Sequence, residues 1–182
     1  MSMQSMKIEL TKISGTFIIK SAPFFDNRGT FSRVFCKNEM KSKGLCGHLA
    51  QVNFSSNHKR GTLRGLHMQK GKDAEDKVVI CTRGSLYDVC VDMRKDSQTY
   101  LQWIGEILSE DNCTSLYIPK GCAHGYLTLD DNTQVLYLVS QFFSAESYVG
   151  YRFDDPAFDI KWPPVEPFII SDKDREWEHL NV

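Results

Sequence analysis

The residues best suited to chemistry lie between Arg60 and Gln69, in the segment RGTLRGLHMQ. Imidazole is the only side chain that ordinarily titrates near neutral pH, so a histidine directed into a strand-walled cavity is a natural general base. His67 is the candidate here, and Arg64 can hold a phosphate or carboxylate through two hydrogen bonds. A lone histidine is more often one whose ring is satisfied by a backbone carbonyl, and it is the neighbouring Arg64 that favours the catalytic interpretation of His67.

A series of short strands is predicted to position these groups. Strand-like segments span 15–22, 30–36, 51–55, 77–81, 85–93, 100–108, 115–118, 125–129 and 133–143. In the segment 85–93 the even-numbered positions from Leu86 to Asp92 share one face, and the odd-numbered positions from Tyr87 to Met93 share the other. Strands that recur every 8–12 residues or so favour an antiparallel sandwich or barrel. Short helices are expected over 38–43 and in the Pro-rich tail after Trp162.

Composition limits the class of protein. The net charge is -1 and no linker or repeat divides the 182 residues, so we expect a single domain with no affinity for nucleic acid. No apolar run approaches the roughly 20 residues of a membrane helix, and the first residues lack the apolar core of an export signal. No two of the six cysteines form a CxxC pair, and without an export signal we expect them to be reduced thiols. We therefore expect a cytoplasmic protein that does not bind membranes.

A second cluster, Pro119-x-Gly121-x-x-His124, resembles the second motif of the cupin barrels. Metal-binding cupins complete their site with a His-x-His pair and a glutamate from the first motif. Gly65 stands where the first histidine of that pair is expected, and two separate histidines with Glu75 make a poor ligand set. We predict no metal and no other cofactor.

Longer motifs resemble the RmlC family, the dTDP-4-dehydrorhamnose 3,5-epimerases. These are RGLHMQ at 64–69, Lys77, DVCVDMRKDS at 88–97, YIPKGCAHG at 117–125 and IKWP at 160–163. The match is collinear from about Gly15 to Asp174. The resemblance implies an all-β, cupin-type antiparallel barrel (jelly roll) over 1–182, with an N-terminal arm at 1–14 and a C-terminal tail at 163–182. It also implies a homodimer that acts on a nucleotide sugar.

The implied reaction is epimerisation at C3, C5 or both of a nucleoside-diphosphate 4-keto sugar. The ketone acidifies the neighbouring hydrogens, so a base can remove one and an acid can return a proton to the opposite face. By resemblance His67 is the base, Asp174 its carboxylate partner, Tyr137 the proton donor, and Lys77 a basic group near the ketone. The same resemblance suggests a set of substrate-binding residues: Arg28, Arg33, Gln51, Asn53, Arg64, Gln69, His124 and Phe142. For His124 a structural role inside the barrel comes first.

The chain also departs from the family pattern. Arg33 stands at the place of a glutamate, and Phe142-Phe143 replaces a common Tyr-Tyr pair. These changes leave open a dTDP- or GDP-linked substrate and a hexose or heptose. Two other functions stay open: a 3,4-ketoisomerase on the same scaffold, and a cupin that binds a sugar nucleotide without catalysis.

Overall fold

The computed structural model describes residues 5–166 and 168–180, and strands make up most of its regular structure. The helices in this part of the chain are α1 (Lys37–Ser42), α2 (Asp172–Arg175) and a 3-10 turn at Gly71–Asp73, all too short to cross a bilayer. The strands are β1 (Lys7–Leu10), β2 (Phe17–Lys20), β3 (Phe24–Asp26), β4 (Gly29–Phe31), β5 (Gln51–Asn57), β6 (Leu63–Gln69), β7 (Lys77–Arg83), β8 (Ser85–Asp92), β9 (Trp103–Ser109), β10 (Thr114–Ile118), β11 (Cys122–Thr128), β12 (Thr133–Val139) and β13 (Tyr148–Gly150).

Two sheets pack face to face. The six-stranded sheet has the order β1-β2-β10-β7-β12-β5, the five-stranded sheet has the order β13-β6-β11-β8-β9, and β3-β4 form a separate hairpin. Every pairing between these strands is antiparallel, as the strand spacing predicts. One edge of the larger sheet is therefore β5, which pairs only with β12 among the described strands.

Alternation along β8 builds the core between the sheets. Leu86 and Cys90 are buried there against residues of both sheets, while Val89 and Val91 face outward into a second apolar cluster. Tyr151 and Phe158, from the chain after β13, cover that outer face. The two-faced pattern predicted for this strand is confirmed.

Some elements differ from the sequence prediction. β1 belongs to the six-stranded sheet, although it falls in the expected N-terminal arm. The RGLH segment lies in β6, although no strand was predicted between 55 and 77, because pairing with β11 outweighs the weak strand preference of its glycine and charged residues. β4 ends at Phe31, well before the predicted end at Cys36. The predicted helix at 38–43 is present as α1, and the tail carries α2. Residues 1–4 of the arm and 181–182 of the tail lie outside the described residues.

Candidate active site

A cavity of about 400 Å³ opens between the two sheets, which is within the usual range for a small-molecule site. Both sheets and the C-terminal tail contribute its walls. The lining residues are Gln51, Asn53, Arg64, His67, Met68, Gln69, Glu75, Lys77, His124, Tyr126, Tyr137, Val139, Phe143, Tyr148, Ser171, Lys173 and Asp174. All four predicted catalytic residues are therefore in one cavity.

His67 on β6 pairs with Asp174 on α2. Their Nε2 and Oδ1 atoms lie 2.6 Å apart, and Asp174 is 5% exposed. Burial alone raises the pKa of a carboxyl, but hydrogen bonds from His67 and from the Gly65 amide outweigh it and hold the pKa of Asp174 below its usual value. Asp174 is thus an anion that orients the imidazole, and Nδ1 of His67 is the nitrogen that remains to accept a proton.

Asp174 is bonded to the backbone of β6 and to the residue that precedes α2. A side chain at Gly65 would lie 2.5 Å from the Cα of Gly125, so glycine allows β6 and β11 to approach there. That approach leaves the Gly65 amide 3.4 Å from Asp174. Ser171 caps α2 by accepting a hydrogen bond from the Asp174 amide.

Aromatic packing holds the C-terminal segment against the barrel. The indole of Trp177 lies directly over Gly150, where an added Cβ would come within 2.1 Å of the ring. Tyr148 packs between Trp177 and His67, with ring centroids 6.4 Å and 5.1 Å away. Lys173 places its ammonium 4.4 Å from the centre of the Tyr148 ring. The orientation of the histidine therefore depends on the Tyr148 ring as well as on the hydrogen bond to Asp174.

Tyr137 on β12 belongs to the opposite sheet from His67. Its hydroxyl lies 3.3 Å from Ser55 Oγ, which also lies 3.0 Å from the hydroxyl of Tyr126. Burial, with a further contribution from Tyr126, raises the pKa of Tyr137 well above its usual value. The phenol is therefore protonated at neutral pH and can donate a proton from the wall that faces the imidazole.

Basic groups line the rest of the cavity. Arg64 donates from Nε to Asn57 Oδ1 at 2.9 Å, which fixes the guanidinium and leaves its terminal nitrogens for an anion. Lys77, whose side chain is 10% exposed, pairs with Glu75 at 2.8 Å. Together with Lys173 these groups make a local positive site in a protein of nearly zero net charge.

His124 forms a second buried pair. Its Nε2 lies 2.6 Å from Oδ1 of Asp88, which is fully buried. Burial raises the pKa of Asp88, although His124 opposes the effect. The ring of His124 also meets Tyr137 edge to face at 6.2 Å and borders the cavity. Both the structural role and the lining position expected for His124 are compatible with this placement.

The predicted polar residues differ in how many hydrogen bonds their side chains already make to the protein. Gln51 and Asn53 point inward from β5, and Gln51 accepts a hydrogen bond from the Phe143 amide at 2.6 Å. Gln69 lines the cavity, but its amide is engaged by the backbone of Asp73, Phe142 and Ser144 and by the carboxylate of Glu75.

Three residues predicted to bind substrate lie outside the cavity of their own chain. Arg28 is in the β3-β4 hairpin, where its side chain is 84% exposed and pairs with Asp26. Arg33 pairs with Glu39 of α1 at 2.5 Å. Phe142 is exposed, and its neighbour Phe143 lines the cavity instead, on the side that also carries Tyr137 and Val139.

Sequence reasoning did not identify several lining residues. The sequence motifs suggest Glu75 only as a metal ligand, and they do not indicate a cavity position for Tyr126, Tyr148, Ser171 or Lys173. Lys173 was detectable, since it directly precedes Asp174, whereas the others need the fold. Among the described residues no group of three His, Cys, Asp or Glu side chains comes together as a metal site would require.

Comparisons with known proteins agree with this geometry. A family model described as dTDP-4-dehydrorhamnose 3,5-epimerase matches residues 10–181. The dTDP-4-dehydrorhamnose 3,5-epimerase of Sinorhizobium fredii is 39% identical over 178 residues, covering 98% of this chain and 91% of its own.

Solved structures show the same similarity. The enzyme of that name from Bacillus anthracis, with TDP and PPi bound, superposes with a TM-score of 0.92 at 40% identity, covering 97% of this chain and 100% of its own. RmlC of Legionella pneumophila, in complex with dTDP-4-keto-L-rhamnose, superposes with a TM-score of 0.92 at 35% identity, covering 98% of this chain and 94% of its own. The predicted cupin-type all-β fold is confirmed, and the chain belongs to the dTDP-4-dehydrorhamnose 3,5-epimerase family.

Proposed function

We propose that this protein inverts C3 and C5 of a dTDP-linked 4-keto-6-deoxyhexose by proton transfer through an enolate. The observation that carries the proposal is the placement of the His67–Asp174 pair and of Tyr137 on different sheets around one cavity. Family membership gives the substrate class, and the dTDP ligands of the related structures favour dTDP over GDP.

Each inversion uses one base and one acid. Nδ1 of His67 takes the hydrogen next to the ketone as a proton, and the electron pair of the broken C–H bond moves toward the carbonyl oxygen to form an enolate. Asp174 stabilises the resulting imidazolium, and the ammonium of Lys77 stabilises the enolate oxygen. Tyr137 then donates its proton to the same carbon from the other face, the ketone re-forms, and the configuration is inverted.

The nucleotide diphosphate needs positive charge at the cavity. Arg64 is held by Asn57 with its terminal nitrogens free for two oxygens, and Lys173 lies on the C-terminal side of the same cavity. A guanidinium fixed in this way suits a diphosphate better than a mobile ammonium does. Gln51 and Asn53 supply polar contacts from β5.

Incubation with dTDP-4-keto-6-deoxyglucose in deuterated water tests the function. We expect deuterium at C3 and C5 and the ring couplings of the inverted sugar in the NMR spectrum. His67→Ala should abolish both. A ketone signal that moves to C3 would indicate a ketoisomerase, and tight binding without isotope uptake would indicate a binding protein; either result rejects the proposal.

We also propose a homodimer. The outer face of the edge strand β5 exposes Val52 and Phe54, which are 56% and 58% exposed, and the β3-β4 hairpin exposes Phe25 and Phe31. Apolar surface of this extent on an edge strand and a hairpin suits burial against a second copy. Arg28 lies in the same hairpin, so such a dimer would place it beside the second copy.

Light scattering after size exclusion tests the assembly. We expect a dimer for the wild-type chain and a monomer for Phe54→Lys. Ile107→Lys, a matched change of a residue that is 51% exposed on β9, should remain dimeric. A monomeric wild-type chain contradicts the proposal.

A cytoplasmic location is proposed as well. All six cysteines are free thiols in the structure, which suits a reducing compartment.

A further inference from the structure

Glu75 forms an ion pair inside the cavity that the proposed mechanism does not yet use. It lies between the 3-10 turn and β7, two residues before Lys77. Its Oε1 lies 2.8 Å from the ammonium of Lys77, and the two side chains are only 12% and 10% exposed. Removing an ion pair from water costs free energy, so the two charged groups must be held by their contacts with each other and with the protein.

The second carboxylate oxygen of Glu75 is also engaged. Gln69 donates to Oε2 from its amide nitrogen at 3.1 Å. The orientation of that amide is fixed, because its oxygen accepts the Ser144 amide at 2.6 Å and its nitrogen also faces the carbonyls of Asp73 and Phe142. The loop after β12 therefore holds Gln69, Gln69 holds Glu75, and Glu75 holds Lys77.

We infer that Glu75 is the positioning residue of Lys77, fixing the ammonium where the enolate oxygen forms. The inference rests on the proposed epimerase function. A lysine ammonium is a point charge on a flexible four-carbon chain, so a fixed location needs a partner that is itself fixed. Only a carboxylate provides two acceptor oxygens at this site, one for Lys77 and one for Gln69. A glutamine at position 75 keeps one acceptor oxygen but loses the negative charge that pairs with the ammonium of Lys77.

The same arrangement explains why Gln69 contributes indirectly. Its polar atoms face protein groups, so we assign it to the support of Glu75 and not to substrate recognition. Glu75 likewise acts through Lys77 and takes no proton from the sugar.

A double-mutant cycle distinguishes this role from a direct one. The variants are Glu75→Gln, Lys77→Met and the double variant, measured for kcat, KM and deuterium uptake. We expect Glu75→Gln to lower kcat roughly 10- to 100-fold with little change in KM, as loss of a supporting residue commonly does. In the Lys77→Met background the same change should alter kcat by less than about twofold, since the group it positions is gone.

Other outcomes overturn the inference. Independent losses that multiply in the double variant mean that Glu75 acts on substrate or on the fold, and a wild-type kcat for Glu75→Gln means that it does nothing for Lys77. Glu9→Gln is the control, because Glu9 on β1 pairs with Lys20 on β2 at 3.0 Å, at the far edge of the six-stranded sheet. Glu75→Asp, which keeps the charge but shortens the reach, replaces Glu75→Gln if the latter does not fold.

A measurement without substrate separates this inference from the proposed function. Lysines labelled with ¹³C at Cε give a side-chain NMR signal for Lys77, assigned from Lys77→Met. We expect an ordered signal in the wild-type protein and a motionally averaged one in Glu75→Gln, whether or not the protein is an epimerase. An averaged signal in the wild-type protein rejects the positioning role, whereas absent deuterium uptake alone rejects the epimerase function.

Discussion

Nε2 of His67 lies 2.6 Å from Oδ1 of Asp174, although 107 positions separate the two residues in the sequence. One belongs to the five-stranded sheet and the other to the tail, so the base is complete only when the tail is seated. The contact fixes which imidazole nitrogen is available to the sugar. The consequences can be measured on activity and on stability.

Asp174→Asn should lower kcat by on the order of a thousandfold, because an amide cannot stabilise the imidazolium and can select the wrong tautomer. Steady-state kinetics measures this loss.

The same variant tests how the stability of the fold depends on pH. The pKa of Asp174 is lower in the folded protein than in the unfolded chain, where it is about 3.9.

A lowered pKa stabilises the fold above the unfolded pKa and loses its effect as the pH falls through the folded one. We therefore expect the wild-type protein to exceed Asp174→Asn in free energy of unfolding at pH 7. The difference should shrink below about pH 4. A difference that is constant from pH 7 to pH 3 would contradict the assigned charge.

Tyr137→Phe should separate proton exchange from inversion. His67 remains able to remove the proton and return it to the same face, so deuterium enters the starting sugar while inversion falls roughly 100-fold or more, in the range for loss of a general acid. NMR in deuterated water follows both. Tyr117→Phe is the control, because it deletes a buried hydroxyl bonded to Asp76 outside the cavity. If proton exchange and inversion were lost together in Tyr137→Phe, the assignment of Tyr137 as the proton donor would be wrong.

Gly150→Ala should displace the indole of Trp177, since the new Cβ would lie 2.1 Å from it. The displacement loosens the segment that carries Asp174, so we expect a lower kcat and a loss of about 1–3 kcal/mol in unfolding free energy. Gly105→Ala is a matched control: its Cβ would lie 1.9 Å from the Tyr87 hydroxyl, away from the cavity. We expect Gly105→Ala to lower the free energy of unfolding and to leave the kcat of the folded protein unchanged. Equal kcat in both variants would exclude a role for the Trp177 contact.

Arg64→Gln should raise KM roughly 10- to 100-fold with a smaller change in kcat. A hydrogen bond to a charged group contributes about 1.5–3 kcal/mol, and the diphosphate is bound equally before and during the reaction. Kinetics and dTDP calorimetry measure the loss. Arg83→Gln, which removes an exposed arginine at the end of β7 that does not line the cavity, is the control. A large fall in kcat at unchanged KM would instead place Arg64 at the sugar.

The sequence predicted the elements whose patterns are local. β8 alternates strictly between two buried faces, so its bounds and its faces could be read from the residues. β6 could not, because Arg64, Gly65 and His67 are poor strand formers that are held by pairing with β11.

The active site was predictable only in part, and for a similar reason. Resemblance, and not spacing, paired His67 with Asp174 across 107 positions. Nothing local in Glu75 or Tyr148 indicates that folding brings them to the cavity. The expected roles of Arg28 and Arg33 stay predictions, because both lie outside the cavity.

The assignment of the base and the acid to different sheets links catalysis to ordinary core packing. The separation between the imidazole and the phenol, which the sugar must fit, is set by how far the buried side chains hold the two layers apart, among them Val135 and Leu86. Removing one methyl group from such a residue, far from the sugar, would bring the two sheets closer together. The protein would still fold, but its kcat would change.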